Sequence, residues 1–202
     1  MMFNRTPKEV FNPAALLYVM CGNVGTGKTT YRKELVAYIK ALGRTVVVVN
    51  ADEILLHLDG GTYQEYTQTR HDIMTEIQRI AVTLTGEDQA FCGFDPEKSP
   101  TLIVDNMNYT KAHRTRILGY AVKGCKNREK ALYTSILLDL GSGDENTLKR
   151  RIEGRKDLSP QKWEEVHSGI KKVWEPPSCE EGYTEIFRIE CVEGPHTVGT
   201  HK

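Results

Sequence analysis

The chain has 202 residues, with 27 basic and 27 acidic side chains and no net formal charge, and 39% of it is hydrophobic. That balance fits one ordinary globular domain. It argues against a nucleic-acid binder advertised by bulk charge, and no apolar stretch is long enough to span a bilayer. Five cysteines occur without a C-x-x-C pair, so reduced thiols are expected in place of a disulfide frame or zinc site. No signal-peptide pattern opens the sequence, and a cytoplasmic location is expected.

Residues 1–13 contain Pro7 and Pro13 and little periodicity, and read as a flexible leader before a single domain over 14–191. The apolar run from Leu16 to Met20 predicts a first strand. Next comes Gly22-Asn23-Val24-Gly25-Thr26-Gly27-Lys28-Thr29, a complete G-x-x-x-x-G-K-[ST] pattern, with Thr30 after it. Strand before and helix after make this a phosphate-binding loop for ATP. Gly22, Gly25 and Gly27 let backbone N–H groups approach phosphate oxygens, and the helix adds its positive end. Lys28 reaches the β- and γ-phosphates, and the Thr29 hydroxyl holds Mg²⁺.

The helix is expected to run to about Leu42, with Gly43 closing it. Thr45 to Val49 predicts a second strand, buried on both faces because of its four valines. Residues 50–62 read as a loop, and a helix is expected over about 64–84. Residues 86–100 read as another loop. A third strand over 101–104, a helix over 111–122 and a fourth strand over 132–138 follow. Ser159-Pro160 starts a helix to Val173, part of a helical lid over about 144–175. A last strand spans 185–189, and 192–202 read as a disordered tail. Alternating strands and helices predict an α/β fold: a P-loop NTPase-type parallel sheet of about five strands flanked by helices.

Charge is unevenly spread. Residues 51–100 hold ten acidic and three basic side chains, whereas 111–130 hold seven basic and one acidic. Ligands in such sheets bind beyond the carboxyl ends of the strands. There the second strand delivers Asp52, a carboxylate suited to orient an acceptor hydroxyl and take its proton. The third delivers Asp105, suited to organise Mg²⁺-bound water. Asn106 and Asn108 either position an acceptor or close an Asx-turn. Arg151 and Arg155 share a helix face and are candidates to close over the transferring phosphoryl group and the nucleotide. Arg114 and Arg116 either contact substrate phosphate or are solvated. Trp174 and the prolines after it either border an adenine pocket or pack the lid.

Gly22–Thr30, Asn50-x-Asp52, Asp105-Asn106-Met107-Asn108-Tyr109 with Arg114, and Leu148-Lys149-Arg150-Arg151 through Arg155 together resemble the polynucleotide 5′-hydroxyl kinase family. The resemblance implies transfer of the ATP γ-phosphate to a nucleic-acid hydroxyl, at the 5′ end of DNA or RNA. It makes Asp52 the general base and Arg151 the transition-state arginine. Leu55 departs from the pattern, because members carry an arginine three residues after the base. That departure brings forward kinases of a hydroxymethylated base in DNA, or of small molecules and nucleosides. A P-loop ATPase with no acceptor but water is the other class.

Overall fold

The computed structural model describes residues 2–61, 67–123, 135–140 and 159–192. Five strands form a parallel sheet: β2 (Leu17–Cys21), β3 (Val46–Asn50), β4 (Thr101–Asp105), β5 (Ser135–Leu140) and β6 (Glu185–Ile189), in the order β3-β4-β2-β5-β6. The strand before the phosphate loop is thus central, and all five of its residues are buried. Alternation sends Tyr18 and Met20 to one face, where they meet Tyr31, Leu35 and Ile39 of helix α2 (Lys28–Ala41). Leu17, Val19 and Cys21 meet Val82, Ile117 and Leu118 on the other. These last three belong to α4 (Gln68–Phe91) and α5 (Lys111–Ala121). The product is a three-layer α/β/α arrangement with helices covering both faces, as a parallel sheet requires.

Several expectations are corrected. The valine strand lies at the sheet edge, so Val46, Val47 and Val48 are only half-buried, and Val49 and Asn50 alone are buried. The stretch expected as a loop after it folds as α3 (Ala51–Leu58). Asn50 caps this helix by accepting from the Glu53 amide at 2.8 Å, and Asp52 and Glu53 face its positive end. The leader is pinned. Phe3 pairs with Cys191 and Met2 with Val192 in a small antiparallel sheet of β1 (Met2–Phe3) and β7 (Cys191–Val192). Thr6 and Glu9 then close a capping box on α1 (Pro7–Val10), which buries Val10. The tail expected from 192 therefore begins with a paired residue, and 193–202 lie outside the described residues.

Helix α4 continues past Leu84 to Phe91, into the stretch expected as a loop, and Gly86 inside it is a packing glycine. A Cβ built there would stand 2.0 Å from the carbonyl oxygen of Ala121, so α4 and α5 cross backbone to backbone. Alanine normally stabilises a helix interior by about 1 kcal/mol over glycine. Here the clash wins: Gly86→Ala is expected to destabilise by about 3 kcal/mol, lowering the melting temperature by roughly 6–12 °C. An unchanged or higher melting temperature in calorimetry would show that the helices can separate freely.

The helix α6 (Pro160–Val173) matches its sequence signals, with Ser159 Oγ accepting from the Lys162 amide at 3.2 Å and Pro160 in the first turn. The rest of the expected lid, 144–158, lies outside the described residues.

Candidate nucleotide-binding site

The loop between β2 and α2 has the backbone its glycines permit. Gly25 (φ 78°) and Gly27 (φ 95°) are left-handed, a region that side chains disfavour. Gly27 starts α2 without a side-chain cap, and intrahelical bonding begins with the Tyr31 amide donating to the Gly27 carbonyl at 3.0 Å. The first-turn amides of Thr29 and Thr30 therefore have no intrahelical acceptor, which is the geometry of an anion site. Lys28 folds its ammonium across the loop, donating to the carbonyls of Gly22 (2.8 Å) and Asn23 (2.7 Å). Thr29 is exposed beside it. Thr26 Oγ1 donates to the Asn23 carbonyl at 2.9 Å and stiffens the turn.

Two neighbours hold the loop in place. From below, the Gly22 amide donates to the Met107 carbonyl at 3.0 Å, and the Asn108 side chain donates to the Met20 carbonyl at 2.7 Å. Asn108 itself is left-handed (φ 44°) and buried. From the side, Asn23 Nδ2 donates to the His167 carbonyl of α6 at 3.2 Å, and Val24 packs with Trp163 and Ile170. Asn23 and Val24, both expected as nucleotide contacts, are thus where α6 grips the loop.

Next to Lys28 lies a network of charges. Asp105, at the end of β4, is buried and accepts from Asn50 Nδ2 at 3.0 Å. Arg32 Nε stands 3.4 Å from the same carboxylate, while Arg32 Nη2 pairs with Glu53 at 2.7 Å. Burial pushes the Asp105 carboxyl above the usual range, against Lys28, Arg32 and Asn50, which favour its charged form, and Asp52 adds to the upward push. Asp52 is exposed on the first turn of α3. Lys28, Asp52 and Asp105 are therefore neighbours at the carboxyl end of the sheet. Arg32 was not expected from the sequence. Its signal was its place four residues after Lys28, on the same helix face.

Other expected contacts are absorbed by the fold. Arg114 is fully buried, bonding Glu181 through Nε (2.6 Å) and Nη2 (2.7 Å) and the Asn108 carbonyl through Nη1 (3.0 Å). It cannot touch a substrate, which corrects its assignment as a phosphate contact. Asn108 likewise spends its amide on the strand below. Asn106 accepts from the Ala51 amide at 2.8 Å and ties β4 to α3. Both asparagines spend side-chain groups on distant backbone, of α3 and of β2, which is not the local Asx-turn of the structural reading. Trp174 packs between two apolar clusters, and the Glu175 amide donates to Tyr109 at 2.9 Å, so this segment anchors α6. Arg116 is exposed. Arg151 and Arg155 lie outside the described residues.

The donor set fits a polyphosphate with a divalent cation: helix-head amides and an ammonium for the anion, the Thr29 hydroxyl and the Asp105 carboxylate for Mg²⁺ and its water. A central strand, phosphate loop and uncapped helix together define a P-loop NTPase-type protein with a nucleotide site. The family model described as "Chromatin associated protein KTI12" matches residues 16–166, most of the chain. The chain belongs to that family. This keeps the P-loop part of the resemblance read from the sequence and does not extend to the polynucleotide kinase family. Among solved structures, the chain is similar to Kti12 of Chaetomium thermophilum in complex with ADP-AlF3. Identity is 19%, over 85% of this chain and 87% of that one, with a TM-score of 0.53. A structure described as APE1195 shares 13% identity over 85% and 83% of the two chains, with a TM-score of 0.48. Comparison with curated proteins gives no match. Among the described residues, no helix is long and apolar enough to cross a membrane.

Proposed function

We propose that this chain binds ATP with Mg²⁺ and passes the γ-phosphoryl group to water. One observation carries the choice of water: the side chains expected to hold a nucleic-acid acceptor are spent inside the protein, Arg114 on Glu181 and Asn108 on Met20. Near the Lys28 end of the sheet Asp52 is exposed at the start of α3, and its charge opposes an incoming nucleic-acid phosphate. The complex of the Chaetomium Kti12 with ADP-AlF3 supports phosphoryl transfer from ATP, to water or to an alcohol alike, because ADP with aluminium fluoride mimics a phosphoryl group in transfer.

The Thr29 hydroxyl and, through water, the Asp105 carboxylate would hold Mg²⁺, which when bound would supply charge neutralisation to the transfer. Lys28 leaves its loop carbonyls for phosphate oxygens, and the amides at the head of α2 bind the rest. Asp105 would orient water on that ion, and Asn50 and Arg32 hold its carboxylate in place. Asp52 holds the attacking oxygen by a hydrogen bond, a positioning task that suits a loose transition state.

The second reading is a kinase of a nucleic-acid hydroxyl, at a 5′ end or on a modified base. It is supported by exposed Asp52 at the start of α3, where a carboxylate meets an incoming alcohol as readily as water. One experiment separates the two: incubation with γ-labelled ATP and Mg²⁺, alone and with 5′-hydroxyl oligonucleotides, hydroxymethylated duplex DNA or nucleosides. Free phosphate in every tube, with no labelled acceptor, is the expected result. Label on an oligonucleotide replaces water with that acceptor.

Lys28→Ala is expected to lower turnover about 100-fold by removing one preorganised cation from the developing charge. Asp52→Asn is expected to lower kcat while ATP affinity stays near normal. Retained turnover in Asp52→Asn, read by phosphate release, would remove this carboxylate from the chemistry.

A further inference from the structure

Helix α4 turns Met74, Val82, Gly86 and Gln89 inward and leaves an apolar face outward. Ile73, Ile77, Ile80 and Leu84 are 45%, 37%, 43% and 58% exposed. Their spacing is four, three and four residues, the alternation of a helix–helix seam. Three residues beyond each end stand Arg70 and Glu87, so the run 70, 73, 77, 80, 84, 87 reads identically from either end. Its centre falls between Gln78 and Arg79.

Two-fold contact demands that residue i meets j while j meets i. An antiparallel pair of α4 helices satisfies that demand throughout. Ile73 opposes Leu84, Ile77 opposes Ile80, and Arg70 opposes Glu87 at both ends. A parallel pair would set Glu87 against Glu87 and Arg70 against Arg70. Arg70 also bridges to Asp59 of the same chain, which fixes it at the margin of the seam. Phe91, 90% exposed, lies one further step along the same stripe. Among the described residues, nothing within the chain covers this face.

We propose that α4 is the interface of an antiparallel homodimer, with its two-fold axis passing between Gln78 and Arg79. The apolar seam supplies the affinity, and keeping the two Glu87 carboxylates apart, each beside an Arg70 already held by Asp59, favours the antiparallel direction. The interface lies on the α4/α5 face of the sheet, and each protomer keeps its own phosphate loop.

Sedimentation of the full chain, followed into the high-micromolar range, is expected to reach twice the 22.9 kDa chain mass. Ile80→Asp is expected to weaken dimerisation more than ~100-fold, because the two-fold axis buries the new carboxylate twice. Its circular dichroism and ATP turnover should match those of the native chain, since Ile80 is exposed and remote from Lys28. Should Ile80→Asp fail to fold, oxidative cross-linking decides the matter. Ile73→Cys combined with Leu84→Cys is expected to form a covalent dimer, whereas Leu84→Cys alone is not, with the native chain controlling for Cys92. A monomer at every concentration, a dimer indifferent to Ile80→Asp, or efficient cross-linking by Leu84→Cys alone would each overturn the proposal.

Discussion

Replacing Glu181 with Ala is expected to destabilise the fold by about 3–5 kcal/mol. Arg114 and Glu181 are both fully buried and bond each other at 2.6 and 2.7 Å. Removing the carboxylate leaves a guanidinium in the interior that cannot shed its proton. A domain of this kind is typically stable by only about 5–15 kcal/mol, so the substitution brings it near unfolding. The effect also reaches the nucleotide site. Arg114 holds the Asn108 carbonyl, Asn108 holds β2, and the neighbouring Met107 carbonyl receives the Gly22 amide. Nucleotide affinity should fall along with stability.

The double variant Arg114→Met, Glu181→Leu tests the cause. If the damage comes from an unpaired charge, the double change should be less destabilising than Glu181→Ala alone. Added salt should barely alter the native pair, because burial shields it from counterions. Urea midpoints for the three chains give the answer, and a Glu181→Ala midpoint within about 1 kcal/mol of native would show that water or a neighbour replaces the carboxylate.

What the sequence disclosed and what it hid follow one division. Features written within a few residues were legible: the phosphate loop, the Ser159-Pro160 start of α6, and the apolar strand that precedes the loop. Features set by a distant partner were not. Arg114 reads as a surface cation until Glu181, 67 positions later, is folded against it. The valines of β3 carry the hydropathy of a central strand, yet sheet order puts them at the edge, and order is a property of the whole topology. Gly86 reads as a helix end because its reason lies in the Ala121 carbonyl of another helix. Helix α3 was the avoidable miss: Asn50 with Glu53 three residues on is a cap signal, overshadowed by Gly60-Gly61.

Asp105→Asn is expected to separate activity from stability, moving them in opposite directions. Turnover should fall about a thousandfold, because an amide cannot hold the charge-balanced water shell of Mg²⁺. Stability at neutral pH should not fall. Burial raises the Asp105 carboxyl above its ordinary value, outweighing the pull of Lys28, Arg32 and Asn50. A raised carboxyl means that the folded state resists the charged form. The native chain therefore has its full Asp105 contribution below pH ~4, the unfolded value, and loses it as pH rises through the folded value. Asparagine never acquires the charge and still offers an oxygen to Asn50. The melting temperature of Asp105→Asn should thus equal or exceed that of the native chain at pH 7, and the gap should close as pH falls below about 4. A variant less stable than native at pH 7 would mean that the cations dominate and the carboxylate is a net stabiliser. That sign, joined to lost turnover, is what the proposed Mg²⁺ role of Asp105 requires: a carboxyl held in the interior at a cost to stability.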